Sequence, residues 1–176
     1  RTMCTYLGAS VFLEPGDLDL EVIKKTKILY LEGYLWDHAT AKKAFIAASE
    51  ECNKAGGKIA LSLSDSFCVD RHRESFIDLI TNHIDILFAN ESEILSLYKC
   101  KDILLAIEKL RGNCEVIAIT LGERGSLVCS NDEIIKIEPI LTGKVIDTTG
   151  AGDQYAAGFL YSYINGNSLL DCGKNG

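Results

Sequence analysis

No stretch of this 176-residue chain approaches eighteen consecutive apolar residues, and no secretory pattern opens it. That excludes a membrane-spanning helix and predicts a soluble, cytoplasmic protein. C-x-x-C and Cys-x-His pairs are also absent. The seven cysteines are an odd, scattered set, which disfavours a disulfide framework and gives no metal-ligand spacing, so we read them as reduced thiols. Neither half carries a basic block, and the net charge of −7 excludes a nucleic-acid or anionic-membrane footprint. There is no linker, repeat or low-complexity segment, so the chain is one domain or part of one. Walker A and G-x-G-x-x-G are missing too, which disfavours a P-loop ATPase and a dinucleotide dehydrogenase.

What is present alternates. Residues 27–31 (KILYL) form a short apolar run suited to a buried strand. Residues 38–55 place Ala41, Ala44, Phe45, Ala48, Cys52 and Ala55 on one helical face, and Gly56-Gly57 stops that helix. Strands are predicted over 58–63, 84–88 and 115–120, helices over 70–82, 91–98 and 101–111, and a hairpin-like stretch over 125–138. Strands separated by helices imply an α/β fold with a mainly parallel sheet and helices on both faces. Ligands in such folds sit at the carboxyl ends of the strands.

Three motifs lie at such ends. Val145-Ile146-Asp147-Thr148-Thr149-Gly150-Ala151-Gly152-Asp153 reads as a short strand, a glycine turn and the start of an apolar helix. Backbone N–H groups and the helix dipole there make an anion site without a basic side chain. A carboxylate beside an anion site suits the acceptance of a proton from an attacking hydroxyl, so the segment suggests phosphoryl transfer to an alcohol. Asn90-Glu91-Ser92-Glu93 reads as a capping box; equally, Asn90 and Glu93 share a face able to hold hydrated Mg²⁺ near phosphates, and the two readings are compatible. Thr120-Leu121-Gly122-Glu123-Arg124-Gly125 is either a plain turn or a loop that lets a nucleotide approach the backbone, with Thr120 offering a hydroxyl.

Together with Arg1–Ala9, Tyr30–Tyr34, Leu61–Ser64 and Ile84–Glu93, the DTTGAGD segment resembles the ribokinase-like (PfkB) carbohydrate and nucleoside kinases, most like their adenosine kinase branch. The resemblance implies a ribokinase-like three-layer αβα sandwich and an ATP-dependent phosphotransferase acting on a primary hydroxyl of a nucleoside or sugar. It also implies roles. Asp153 matches the catalytic base, and Gly150, Ala151 and Gly152 match the anion hole. Asn90 and Glu93 match the motif that supports Mg²⁺ through water. Thr120, Gly122 and Gly125 match the nucleotide loop, with Asn90 beside the same phosphates. Asp147 and the Thr149 carbonyl match a K⁺ site. Arg1 matches an arginine near the lid, and Glu32 falls where ribokinases, unlike many adenosine kinases, place a sugar-contacting glutamate.

ATP, Mg²⁺ and in some relatives K⁺ are therefore the implied ligands, with no nucleic acid and no membrane, and a homodimer is compatible with the family. The other function class is a catalytically inactive nucleotide- or sugar-binding module that keeps the fold. The chain starts Arg1-Thr2-Met3 and stops at Gly173-Lys174-Asn175-Gly176, where the pattern predicts the start of a helix. We expect residues 1–176 to be a partial kinase domain, without the N-terminal substrate portion, most lid strands and the C-terminal end. His38, His72 and His83 match nothing catalytic.

Overall fold

The computed structural model describes residues 6–131, 133–140 and 143–176. After two 3-10 turns, the short helix α1 (Leu20–Ile23) leads into strand β1 (Ile28–Glu32). Then follow helix α2 (Ala39–Lys54), β2 (Lys58–Ser62), α3 (Ser66–His83), β3 (Ile86–Asn90), α4 (Glu91–Tyr98), α5 (Ile103–Leu110) and β4 (Val116–Thr120). A hairpin of β5 (Ser126–Cys129) and β6 (Ile134–Ile137) precedes helices α6 (Ala151–Ile164) and α7 (Leu169–Asn175).

The six strands lie in sequence order. β1 to β4 run parallel, and β5 and β6 add to the β4 edge antiparallel. Because each parallel crossover steps the same way, right-handed connections place all the crossover helices on one face. The packing agrees. Alternate strand residues Leu31, Ile59, Leu61, Leu87, Ala89, Ile117 and Ile119 meet Phe45, Phe76, Leu79, Ile94, Leu97 and Ile107 from α2 to α5. The other strand face, with Ala60, Ile86, Phe88, Val116, Ala118 and Val128, meets Ala156, Phe159 and Cys172 of α6 and α7. Both faces are buried, which explains why β2, β3 and β4 read as continuous apolar runs. Each fully buried Ile, Leu or Phe contributes about 1.5–3 kcal/mol by leaving water.

Most boundaries shift by a residue or two from the sequence reading, and three departures have a clear local cause. The expected strand over 145–147 does not form: the segment is irregular, with Val145 68% and Ile146 91% exposed. The Asp147 carboxylate instead accepts from the Thr149 N–H (3.0 Å) and hydroxyl (2.8 Å), a local turn that competes with a sheet ladder. Helix α3 starts at Ser66 rather than 70, because Asp65 caps it by accepting from the N–H groups of Phe67 and Cys68. β3 begins at Ile86 rather than 84, since the Ile84 N–H still closes the last turn of α3 on the Ile80 carbonyl.

Candidate active site

The parallel strands end together, and their last residues are polar. Glu32 and Ser62 are register partners at the ends of β1 and β2, and Asn90 and Thr120 at the ends of β3 and β4. Above this row lies a cavity of about 250 Å³. Its walls carry Asn90, Glu93, Thr120, Gly150, Gly152 and Asp153, so the three separate motifs meet at one place. Tyr34, Ser62, Ser64, Thr148 and Tyr155 line it as well, none of which the motif reading named as a site residue, and Phe88, Ala89 and Ala118 add an apolar surface. A signal for the serines did exist: Ser62-x-Ser64 closes a predicted buried strand.

The wall formed by α6 begins with Gly150 at φ +77°, a left-handed conformation that favours glycine. No side chain caps this helix. The Ala151 N–H bonds to the Thr148 carbonyl and the Gln154 N–H to the Gly150 carbonyl. The intervening Gly152 and Asp153 amides have no hydrogen-bond partner among the described residues. These two donors, with the dipole of a fourteen-residue helix behind them, leave an electropositive helix end facing the cavity, and Ala151 belongs to the turn that shapes it. Asp153 is exposed in the first turn, and its charge is felt by Tyr30, Glu32 and Tyr34 across the strand ends.

The opposite wall is the start of α4. Asn90 is its N-cap, accepting from the Glu93 N–H at 2.9 Å. Glu93 reaches back, accepting from the Asn90 N–H (2.8 Å) and from Asn90 Nδ2 (2.7 Å), while the Ser92 hydroxyl donates to Asn90 Oδ1 at 2.6 Å. The capping-box reading of this motif therefore holds, and its two members also line the cavity. Glu93 is only 5% exposed, and burial pushes its carboxyl up to about 7 against the opposing hydrogen bond from Asn90, with the Asp65 charge adding to the rise. Both its oxygens are occupied by Asn90, so it orients that side chain.

Other expected residues sit further out. Gly122 opens a 3-10 turn after β4, and Gly125 ends it at φ +84°, where a Cβ would stand 2.0 Å from the Ile137 carbonyl oxygen. They shape the β4–β5 connection behind Thr120 without lining the cavity, and Arg124 of that turn pairs with Glu91 beside the N-cap. Glu32 lines a neighbouring groove of about 590 Å³, and its carboxyl is raised by burial and then by Asp153. Asp147 and Thr149 form the exposed turn before Gly150. Arg1 lies outside the described residues. Two aromatic side chains face the site from either side: burial raises the phenols of Tyr34 and Tyr155, and Tyr155 donates to Ser126 Oγ at 2.9 Å.

The profile of the pfkB family of carbohydrate kinases matches residues 1–176. The chain belongs to this family. Among pfkB-family relatives, a nucleoside kinase of Methanothermobacter thermautotrophicus is 31% identical over 170 residues, 96% of this chain and 51% of the relative. The crystal structure of adenosine kinase from Sinorhizobium meliloti superposes with a TM-score of 0.93 at 44% identity, covering 97% of this chain and 52% of that one. A ribokinase of Arabidopsis thaliana complexed with ribose and ATP shares the fold, with a TM-score of 0.71 at 24% identity over 90% of this chain and 49% of that chain. The chain thus spans about half the length of the relatives it matches. As in the sequence reading, the fold is the mainly parallel ribokinase-like α/β sandwich, within whose pfkB-family frame the cavity lies at the carboxyl ends of the strands.

Proposed function

We propose that the full-length protein transfers the terminal phosphoryl group of ATP to a hydroxyl of a nucleoside or sugar. One observation carries this reading: Asp153 stands in the same helical turn as two unpartnered amides and faces the Asn90–Glu93 pair across one cavity. In this reading the phosphoryl group lies against the Gly152 and Asp153 amides, in the turn shaped by Gly150 and Ala151. The acceptor hydroxyl lies against the Asp153 carboxylate. As the acceptor oxygen bonds to phosphorus, its proton passes to Asp153, and the bond to the departing ADP breaks. Phosphoryl transfer depends on position and charge stabilisation, so one base and an N–H cradle suffice from the protein.

Thr120 bounds the nucleotide side, with the Gly122–Gly125 turn behind it. On the acceptor side stand Tyr34, Ser62 and Ser64, with Glu32 at the edge. An aromatic ring beside hydroxyls suits a nucleoside, which presents a flat base and a polar sugar. The nucleoside kinase and adenosine kinase among the relatives support that choice.

Mg²⁺ fits this donor set as a hydrated ion arriving with the nucleotide. Among the described residues no three His, Cys, Asp or Glu side chains converge in a metal-binding group, and Glu93 is fully engaged by Asn90. Mg²⁺ keeps several waters and takes most of its other ligands from phosphates, so an outer pair such as Asn90 and Glu93 is what it needs. When bound it supplies neutralisation of the phosphate charge. The Asp147–Thr149 turn, placed directly before the amide cradle, offers oxygen ligands suited to K⁺. The test is a phosphorylation assay of the full-length protein with ATP, Mg²⁺ and a panel of adenosine, cytidine, ribose and fructose. Turnover of one acceptor supports the reading, and nucleotide binding without turnover of any contradicts it.

A further inference from the structure

The 3-10 turn Gly33–Asp37 carries Tyr34 from the end of β1 to the cavity, and both ends of this turn are pinned. At its start the Gly33 N–H donates to Ser64 Oγ (3.0 Å), and the Gly33 carbonyl accepts from Cys68 Sγ (3.3 Å). At its end Asp37 accepts two parallel bonds from Arg71, Nε at 3.1 Å and Nη2 at 2.7 Å, and a third from His72 Nε2 at 2.7 Å. The other ring nitrogen of His72 lies 3.2 Å from Lys42 Nζ. An ammonium only donates, so His72 Nδ1 accepts and the ring hydrogen sits on Nε2, aimed at Asp37. The Asp37 carboxyl is held below the usual carboxylate range, chiefly by its bonds from Arg71.

Such a cluster does not arise on a regular helix. Residues 71 and 72 sit 100° apart around α3, yet both reach one carboxylate. They do so because His72 leaves the helical region (φ −124°, ψ 24°) and kinks α3 there. The residues on either side of the pair, Asp70 and Arg73, pair with each other and reach the far end of α4: Arg73 Nε donates to the Ser96 carbonyl (3.0 Å), and Ser96 Oγ donates to Asp70 Oδ1 (2.7 Å). Four consecutive side chains therefore tie the turn bearing Tyr34 to the helix bearing Asn90 and Glu93.

We propose that Asp37, gripped by Arg71 and His72, is a positioning residue that fixes the Tyr34 wall against the phosphate-handling wall and so sets acceptor affinity. This rests on the kinase reading above. Asp37 is not among the residues that line the cavity and acts through the turn. Its partners are partly solvent-exposed, and exposed ion pairs contribute little to stability, so a stability role does not account for the kink.

Trp36, the chain's only tryptophan, gives a direct readout. It sits in the same turn, buried against Phe45 and Phe76, with Nε1 donating to Ser75 Oγ at 2.9 Å. The experiment compares the full-length wild type with Asp37→Asn and Arg71→Lys, measuring kcat, KM for ATP and KM for whichever of adenosine, cytidine, ribose or fructose it phosphorylates. Trp36 emission is followed during acceptor titration. Asp37→Asn should raise acceptor KM about tenfold, as displaced positioning groups do, with kcat within about twofold and ATP KM unchanged. Arg71→Lys keeps the charge but loses the fork and should fall between. Trp36 emission should shift on acceptor binding at correspondingly higher concentration in the variants. Unchanged acceptor KM in both variants, or a parallel loss of kcat and both KM values with a collapsed melting temperature, overturns the proposal while leaving the kinase reading intact. A wild type that phosphorylates none of the four acceptors overturns both.

Discussion

Glu93 is the residue whose chemistry depends most on where the fold puts it. Its carboxyl rises from 4.5 to about 7 in the folded protein because burial penalises the charge. A raised folded value means the native state binds the proton more tightly than the unfolded chain does. Stability is therefore greatest below pH 4.5 for this group and falls as pH rises through the window to 7, by about 3 kcal/mol in total. Glu93→Gln removes that titration, so urea unfolding should show wild type gaining about 3 kcal/mol on the variant between pH 8 and pH 4.5. A pH-independent difference would contradict the buried-carboxyl account. Glutamine keeps only part of the capping box: Glu93 accepts from both Asn90 N and Nδ2, and an amide can accept only one while turning its own N–H₂ to the other. The same variant should raise the Mg²⁺ concentration needed for half-maximal rate, because Asn90 loses its orienting partner. An unchanged Mg²⁺ requirement would confine Glu93 to a structural role.

At the scale of elements, β2, β3 and β4 were legible because each is a short apolar run buried on both faces, and α2 because its apolar stripe is unbroken. The meeting of the glycine turn and the N-cap motif at one cavity was legible because turn glycines and an N-cap motif carry local signals. What escaped the reading is non-local. The 145–147 strand failed because the Asp147 carboxylate closes a local turn on Thr149 instead. Tyr34 and Tyr155 reach the cavity only through the placement of their elements. His72, assigned no role from sequence, owes its position to a kink that no pattern announces. The contact of α6 with α7 was equally hidden. A Cβ on Gly158 would stand 1.9 Å from the Asn175 carbonyl oxygen, so the two helices meet backbone to backbone. Alanine usually stabilises a helix interior over glycine by about 1 kcal/mol. Here overpacking should outweigh that, and Gly158→Ala should destabilise by about 1–3 kcal/mol in a denaturant melt. A stabilised variant would show that the α6–α7 contact yields readily.

At the scale of the whole molecule, one sheet separates two apolar layers and brings three distant motifs to a single edge. Among the described residues no helix is long and apolar enough to cross a membrane. Large apolar side chains stand in water on α6 and just before it: Tyr161 is 70% exposed, Val145 68% and Ile146 91%. Surfaces of this kind tend to associate when they form patches of a few hundred Å². Residues 1–176 produced alone should therefore self-associate, with light scattering on a sizing column reporting species larger than a monomer. A monodisperse 19.3 kDa monomer would contradict this. The central claim, that Asp153 accepts the acceptor's proton beside the amide cradle, is tested most directly by Asp153→Asn in the full-length protein. The account predicts a kcat lowered by about 10²–10⁴-fold or more, with ATP affinity little changed, because a general base is lost and the cradle is kept. A variant with near wild-type kcat would contradict it.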